Sequence, residues 1–164
     1  MTGRAIARAR GALVAILLGA AFCGPLGDPP RAAAAPPVVV NHLTGLAISG
    51  FDPVAYFTEH KPALGRPGLE LSLGGAVWQF RNEGNRAAFA ANPEVYMPRF
   101  GGFDPVAVAR GETVPGHPLI WTILGERLYL FYDDAARKTF LADPGRILVT
   151  AERRWKSIVS GLGQ

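Results

Sequence analysis

The hexapeptide Gly50-Phe51-Asp52-Pro53-Val54-Ala55 occurs twice, returning letter for letter as Gly102-Phe103-Asp104-Pro105-Val106-Ala107. Downstream of each copy, Phe80, Arg86, Phe89, Ala91 and Pro93 recur as Phe131, Arg137, Phe140, Ala142 and Pro144, at nearly the same offset. A chain that writes one segment twice within about a hundred residues is predicted to repeat one local unit. The residues that persist are formers of turns, caps and cores rather than reagents.

The repeated dipeptide Asp-Pro has a plain structural meaning. Aspartate caps the N-terminus of a helix, and proline fits the first helical position, where no amide is needed. A short helix is therefore predicted over Val54–Phe57, with a second one starting after Asp104-Pro105 and stopping at Gly111. Leu69, Leu71 and Leu73 alternate with polar residues, as in a half-buried strand. Gly74-Gly75 then turns the chain into a return strand over Val77–Phe80, with Trp78 and Phe80 on one face. Asn82 caps a helix that Pro93 ends, leaving Tyr96 and Pro98 in a loop before the Gly101-Gly102 joint. The second copy continues with a hairpin over Ile120–Leu124 and Arg127–Tyr132, turning at Gly125-Glu126. Asp133 or Asp134 caps the following helix. A last helix starts at Asp143-Pro144, with Leu148, Ala151, Trp155, Ile158, Val159 and Leu162 on one face and Arg153, Arg154 and Lys156 off it. The expected fold is α+β: two tandem units, residues 45–98 and 99–147, each a short helix, a β-hairpin and a packing helix. An amphipathic helix over 144–160 closes a shared apolar interior.

The first residues have a different character. Arg4, Arg8 and Arg10 precede an almost wholly apolar run from Gly11 to Phe22, and Ala32–Ala35 follow as small residues. This is the pattern of a secretory leader over residues 1–34, with 35–44 as a short lead-in. An uncleaved anchor, or lipid attachment at Cys23, is the alternative. The expected location is periplasmic or extracellular, with no stable membrane span once the leader is removed. The leader holds four arginines against Asp28, so most of the formal charge of +4 belongs to it and about +1 remains. A chain so nearly neutral has no basic stripe for phosphates, and nucleic acid is not an expected partner. Cys23 is the only cysteine and lies in the leader. The exported part therefore has no thiol for disulfides, nucleophilic catalysis or iron–sulfur ligation. It must rely on its core, and a domain of this size buries about two-thirds of its surface.

The runs "GFDPVAYF", "AVWQFRNEGNRAAFAANPEVY", "FGGFDPVAVARG" and "RLYLFYDD" resemble, in this order, the YHS domain family, and more narrowly its exported bacterial members. The resemblance spans about Gly45 to Ser160 and implies an α+β fold akin to small metal-binding domains of the TRASH type. In the metal-binding relatives, cysteines follow the Asp-Pro-Val turn and punctuate the second strand and the helix start. The matching positions here are Ala55, Arg81 and Asn85. Many exported relatives keep a cysteine after the Gly-Gly joint, where this chain has Asp104. The resemblance thus supports the fold without carrying over the family's metal ligands.

Three functional readings follow. The first is a non-enzymatic module of the cell envelope that binds a small ligand or another envelope protein and needs no cofactor. Tyr56, Tyr96, Phe100, Asp104 and Trp121 are the expected pocket residues, because aromatics flanking loops can face a ligand as well as a core. The second is a copper- or zinc-handling protein using Met97, Asp104 and His117. Its histidines, His42, His60 and His117, are scattered without chelate spacing. The third is a hydrolase-like enzyme that pairs Asp52 with Asp104 as acid and base. Capping accounts for both residues of each Asp-Pro pair, whereas catalysis accounts for one. No G-x-S-x-G elbow, phosphate loop or dinucleotide fingerprint is present.

Overall fold

A computed structural model describes residues 37–161. The expected leader, Cys23, the start of the lead-in and Leu162 lie outside the described residues. The described chain is α+β, with six α-helices and two antiparallel two-stranded sheets. No helix among the described residues is long and apolar enough to cross a membrane.

The lead-in is not a spacer. Val39 donates to the Gly101 carbonyl at 2.8 Å and accepts from Ile48 N at 3.1 Å, while Val38 and Val40 pack on the core. This strap explains Gly101, which sits at φ +62° with the Pro37 carbonyl oxygen where a Cβ would be. A one-turn helix, α1 (Ala55–Thr58), follows Asp52-Pro53. Strands β1 (Glu70–Leu73) and β2 (Ala76–Gln79) pair with Leu71 opposite Trp78. Both turn glycines have positive φ, matching the right-handed twist of a two-residue hairpin. Helix α2 (Glu83–Ala91) ends just before Pro93. Pro93 then starts a further turn, α3 (Pro93–Tyr96), so Tyr96 closes a helix rather than lying in a loop. Proline both bars continuation of one helix and suits the first position of the next.

After a 3₁₀ turn at Arg99–Gly102 come α4 (Pro105–Arg110), β3 (His117–Leu124), β4 (Arg127–Phe131), α5 (Asp134–Ala142) and α6 (Pro144–Gly161). Gly111 stops α4 in the left-handed region, at φ 90°. Strand β3 starts three residues earlier than the alternation suggests, and a register shift between His117 and Trp121 hides its period.

Local geometry recurs along the chain at the offset of the repeated letters. Asp52 N donates to Ala63 O at 2.8 Å, and Asp104 N to Val114 O at 2.9 Å. Gly65 N reaches Gly50 O, and Gly116 N reaches Gly102 O, both at 2.9 Å. Asn82 caps α2 through Asn85 N and Asp133 caps α5 through Ala136 N, both at 2.8 Å. Phe89 lies 5.0 and 5.2 Å from the rings of Trp78 and Phe80, and Phe140 lies 5.1 and 5.2 Å from those of Tyr129 and Phe131.

The interior, expected to be shared, is divided. One cluster gathers Ile48, Val54, Tyr56, Trp78, Phe80 and Phe89; the other gathers Phe100, Val108, Phe140, Ile147 and Ala151. Strand β4 stands between them. Leu128 and Leu130 join the first cluster, Tyr129 and Phe131 the second, as side chains alternate across a strand. Strand β1, by contrast, is largely exposed. Helix α6 packs along α4 and buries Ile147 and Ala151, while Leu148, Trp155 and Ile158 flank them.

Gly116 shows how close this packing is. A Cβ there would lie 2.6 Å from Leu130 Cβ and 2.8 Å from Gly102 O. Gly116→Ala is therefore expected to destabilise the fold by about 1–3 kcal/mol, the usual penalty of overpacking. Chemical denaturation should show a lower midpoint with an unchanged slope.

Candidate functional site

The two repeated aspartates are buried, Asp52 fully and Asp104 to within 2% exposure. Asp52 Oδ1 accepts from Val54 N at 2.8 Å and from Ala55 N at 3.4 Å, bracing the turn that leads into α1. Its Oδ2 accepts from Arg81 N at 2.8 Å and from Asn85 Nδ2 at 2.6 Å, where β2 gives way to α2. Asp104 Oδ1 accepts from Val106 N at 2.7 Å and Ala107 N at 3.2 Å, and its Oδ2 from Tyr132 N at 2.8 Å. Each carboxylate thus binds a helix start to the end of the hairpin that follows it. The acid–base pairing of Asp52 with Asp104 requires both to face one substrate, and their hydrogen bonds instead run to separate stretches of chain.

The aromatic side chains form an open groove of about 650 Å³, lined by Phe57, His60, Val95, Tyr96, Trp121, Thr122, Ile123 and Glu126. Helices α1 and α3 supply one wall, and β3 with its turn supplies the other. Phe57 and Tyr96 meet edge to face, with centroids 5.4 Å apart. His60 and Glu126 mark the polar rim, both held at positive φ (53° and 58°).

Of the expected pocket residues, the structure brings together Tyr96 and Trp121. Tyr56 is fully buried beneath them: its hydroxyl donates to Pro118 O at 2.8 Å and its ring meets Trp121 edge to face at 5.2 Å. Phe100 is buried in the second cluster, against Trp155 with centroids 5.8 Å apart. Asp104 lines a different cavity. Phe57 was legible in principle. It is adjacent to Tyr56 on a one-turn helix, so if one ring is core the next points away. Thr122, Ile123 and Glu126 carried no signal, because their place depends on how β3 docks against α3.

Met97, Asp104 and His117 have different surroundings. Met97 lies between the first cluster and the surface near Trp155, and His117 is exposed with Nδ1 accepting from Leu119 N at 3.2 Å. Among the described residues, no three His, Cys, Asp or Glu side chains converge.

Burial pushes the Tyr56 phenol well above its ordinary value of 10.0, and the negative charge of Asp52 adds to the shift. The folded state holds the proton that the unfolded chain releases. Its contribution is therefore full below about pH 10 and declines as pH rises beyond that, by about 1.4 kcal/mol per pH unit. The urea midpoint should fall in this window, and less steeply in Tyr56→Phe. A slope unchanged by the substitution would contradict the assignment. Asp52→Asn is expected to cost about 3 kcal/mol in thermal or urea unfolding. Either orientation of the new amide presents an N–H to amide donors that both oxygens now accept from. No family model, curated protein or solved structure matches this chain.

Proposed function

We propose that this protein is an exported binding module of the cell envelope, built from two YHS-like units in tandem over residues 45–98 and 99–147. It holds an apolar, planar ligand in the groove between α1, α3 and β3, and performs no chemistry on it. The leader-like sequence over residues 1–34 motivates export. The hydrogen bonds and ring pairs that recur at the repeat offset support the tandem reading. The observation that carries the binding reading is the groove itself. Phe57, Tyr96 and Trp121 give it a ring-lined wall, and at about 650 Å³ it falls within the range typical of ligand sites. Its rim offers one imidazole and one carboxylate to orient a polar edge of the ligand.

The test uses the protein as cells produce it, with the neutral dye N-phenyl-1-naphthylamine as probe. Saturable fluorescence enhancement is expected, accompanied by quenching of tryptophan emission. Thr122→Trp, which fills the groove from a half-exposed position, should weaken dye binding at least tenfold without lowering the unfolding midpoint. Dye binding that is absent, or indifferent to Thr122→Trp, overturns the groove. Stoichiometric copper or zinc in the purified protein would instead move the reading to metal handling.

A further inference from the structure

The side-chain hydrogen bonds of the two aspartates correspond, except at one position. Asp52 Oδ2 accepts two hydrogen bonds, from Arg81 N and Asn85 Nδ2. Asp104 Oδ2 accepts one, from Tyr132 N, which corresponds to Arg81 N. The residue corresponding to Asn85 is Ala136. Both are the third residue of a helix, and both donate their own amide to the cap at 2.8 Å. A methyl group therefore stands where the first centre has an amide donor. The second lone pair of Asp104 Oδ2, which in the first centre receives Asn85, is left without its protein partner.

The space left by that side chain is open. A cavity of about 580 Å³ is lined by Asp104 and Ala136 together with Ala107, Val114, Asp133 and Thr139. Its charge has changed along with its shape. The neutral cap Asn82 corresponds to the carboxylate Asp133, and the cationic Arg81 corresponds to Tyr132. Arg110, at the mouth, is committed to Glu112 at 3.2 Å. The second centre thus has one donor fewer and a carboxylate, Asp133, in place of a neutral cap, while Arg81, paired with Glu59 at 3.1 Å in the first, gives way to Arg110, paired with Glu112. A buried carboxylate with free acceptor capacity recruits a donor, and a cationic donor most strongly.

We infer that this cavity is a second binding site, for a primary ammonium group on a short apolar stem. The ammonium takes the position of the Asn85 amide, donating to Asp104 Oδ2 with the Asp133 carboxylate nearby. The stem lies against Ala107, Val114 and Ala136. The site is separate from the aromatic groove and does not depend on it. A metal ion fits poorly, since no third ligand converges on the two carboxylates.

The probe is n-butylammonium, titrated into the protein and followed by amide NMR. Saturable shifts are expected at Val106, Tyr132 and Ala136, and n-butanol at the same concentrations should not reproduce them. Ala136→Asn restores the missing internal donor. It should raise the thermal midpoint by a few degrees and weaken butylammonium binding at least tenfold. Thr139→Met, which narrows the cavity from an exposed position on α5, should weaken binding without adding a hydrogen bond. It keeps the test open if Ala136→Asn fails to fold. Thr122→Trp should leave butylammonium affinity unchanged, so failure of the groove and failure of this site are read separately. Absence of saturable shifts, meaning that water alone fills the cavity, overturns the inference. So does butanol that matches butylammonium, or affinity unchanged in both cavity variants.

Discussion

Two buried aspartates, each accepting backbone amides from two directions, tie the short elements of this structure together. Helix α1 is a single turn and α4 little more, too short to persist alone, and a lone two-stranded hairpin is marginal in water. The carboxylates of Asp52 and Asp104 join these weak parts. One oxygen ends the chain's search for a helix start, and the other receives the amide just beyond the last strand. Burying a carboxylate is expensive unless its lone pairs are filled by good donors, which makes the arrangement strongly selective for one geometry. The Phe-on-ring triads and the close passages at Gly65 and Gly116 then pack around a frame already set.

The elements near these aspartates were the most legible from sequence, because their signals are local. Asp-Pro reads as cap plus first helical residue, Gly74-Gly75 as a hairpin turn, Asn82 as a cap and Gly111 as a helix stop. Each is a statement about neighbouring backbone groups; Asp104-Pro105, Gly74-Gly75, Asn82 and Gly111 take these roles, whereas α1 starts at Ala55, after Val54 rather than at Pro53. Errors came where the deciding contact is distant in sequence. Tyr56 resembled a pocket residue because it has a polar tip, yet Pro118, far along the chain, supplies the acceptor that lets it be fully buried. Pro93 is a local exception, because the proline that ends α2 also opens the turn that carries Tyr96 to the groove. The lead-in carries no local signal for its role, and its pairing with Gly101 makes it part of the fold.

The two aspartate centres share most of their side-chain hydrogen bonds and differ in the space beside them. The first encloses its aspartate completely with Asn85. The second replaces that amide with Ala136 and keeps a cavity beside Asp104. The groove arises from another asymmetry: β4 is buried on both faces, so its hairpin belongs to both clusters and presses Trp121 and Ile123 toward α3.

Repetition, caps, turns and strand alternation were encoded in short stretches, since they depend on hydrogen bonds and steric limits within a few residues. Which aromatic ring became wall and which became core, how the interior was divided, and where cavities survived depended on packing between elements some sixty residues apart. No local pattern carries that information, because burial is a property of the surfaces that meet and not of the segment that supplies one of them.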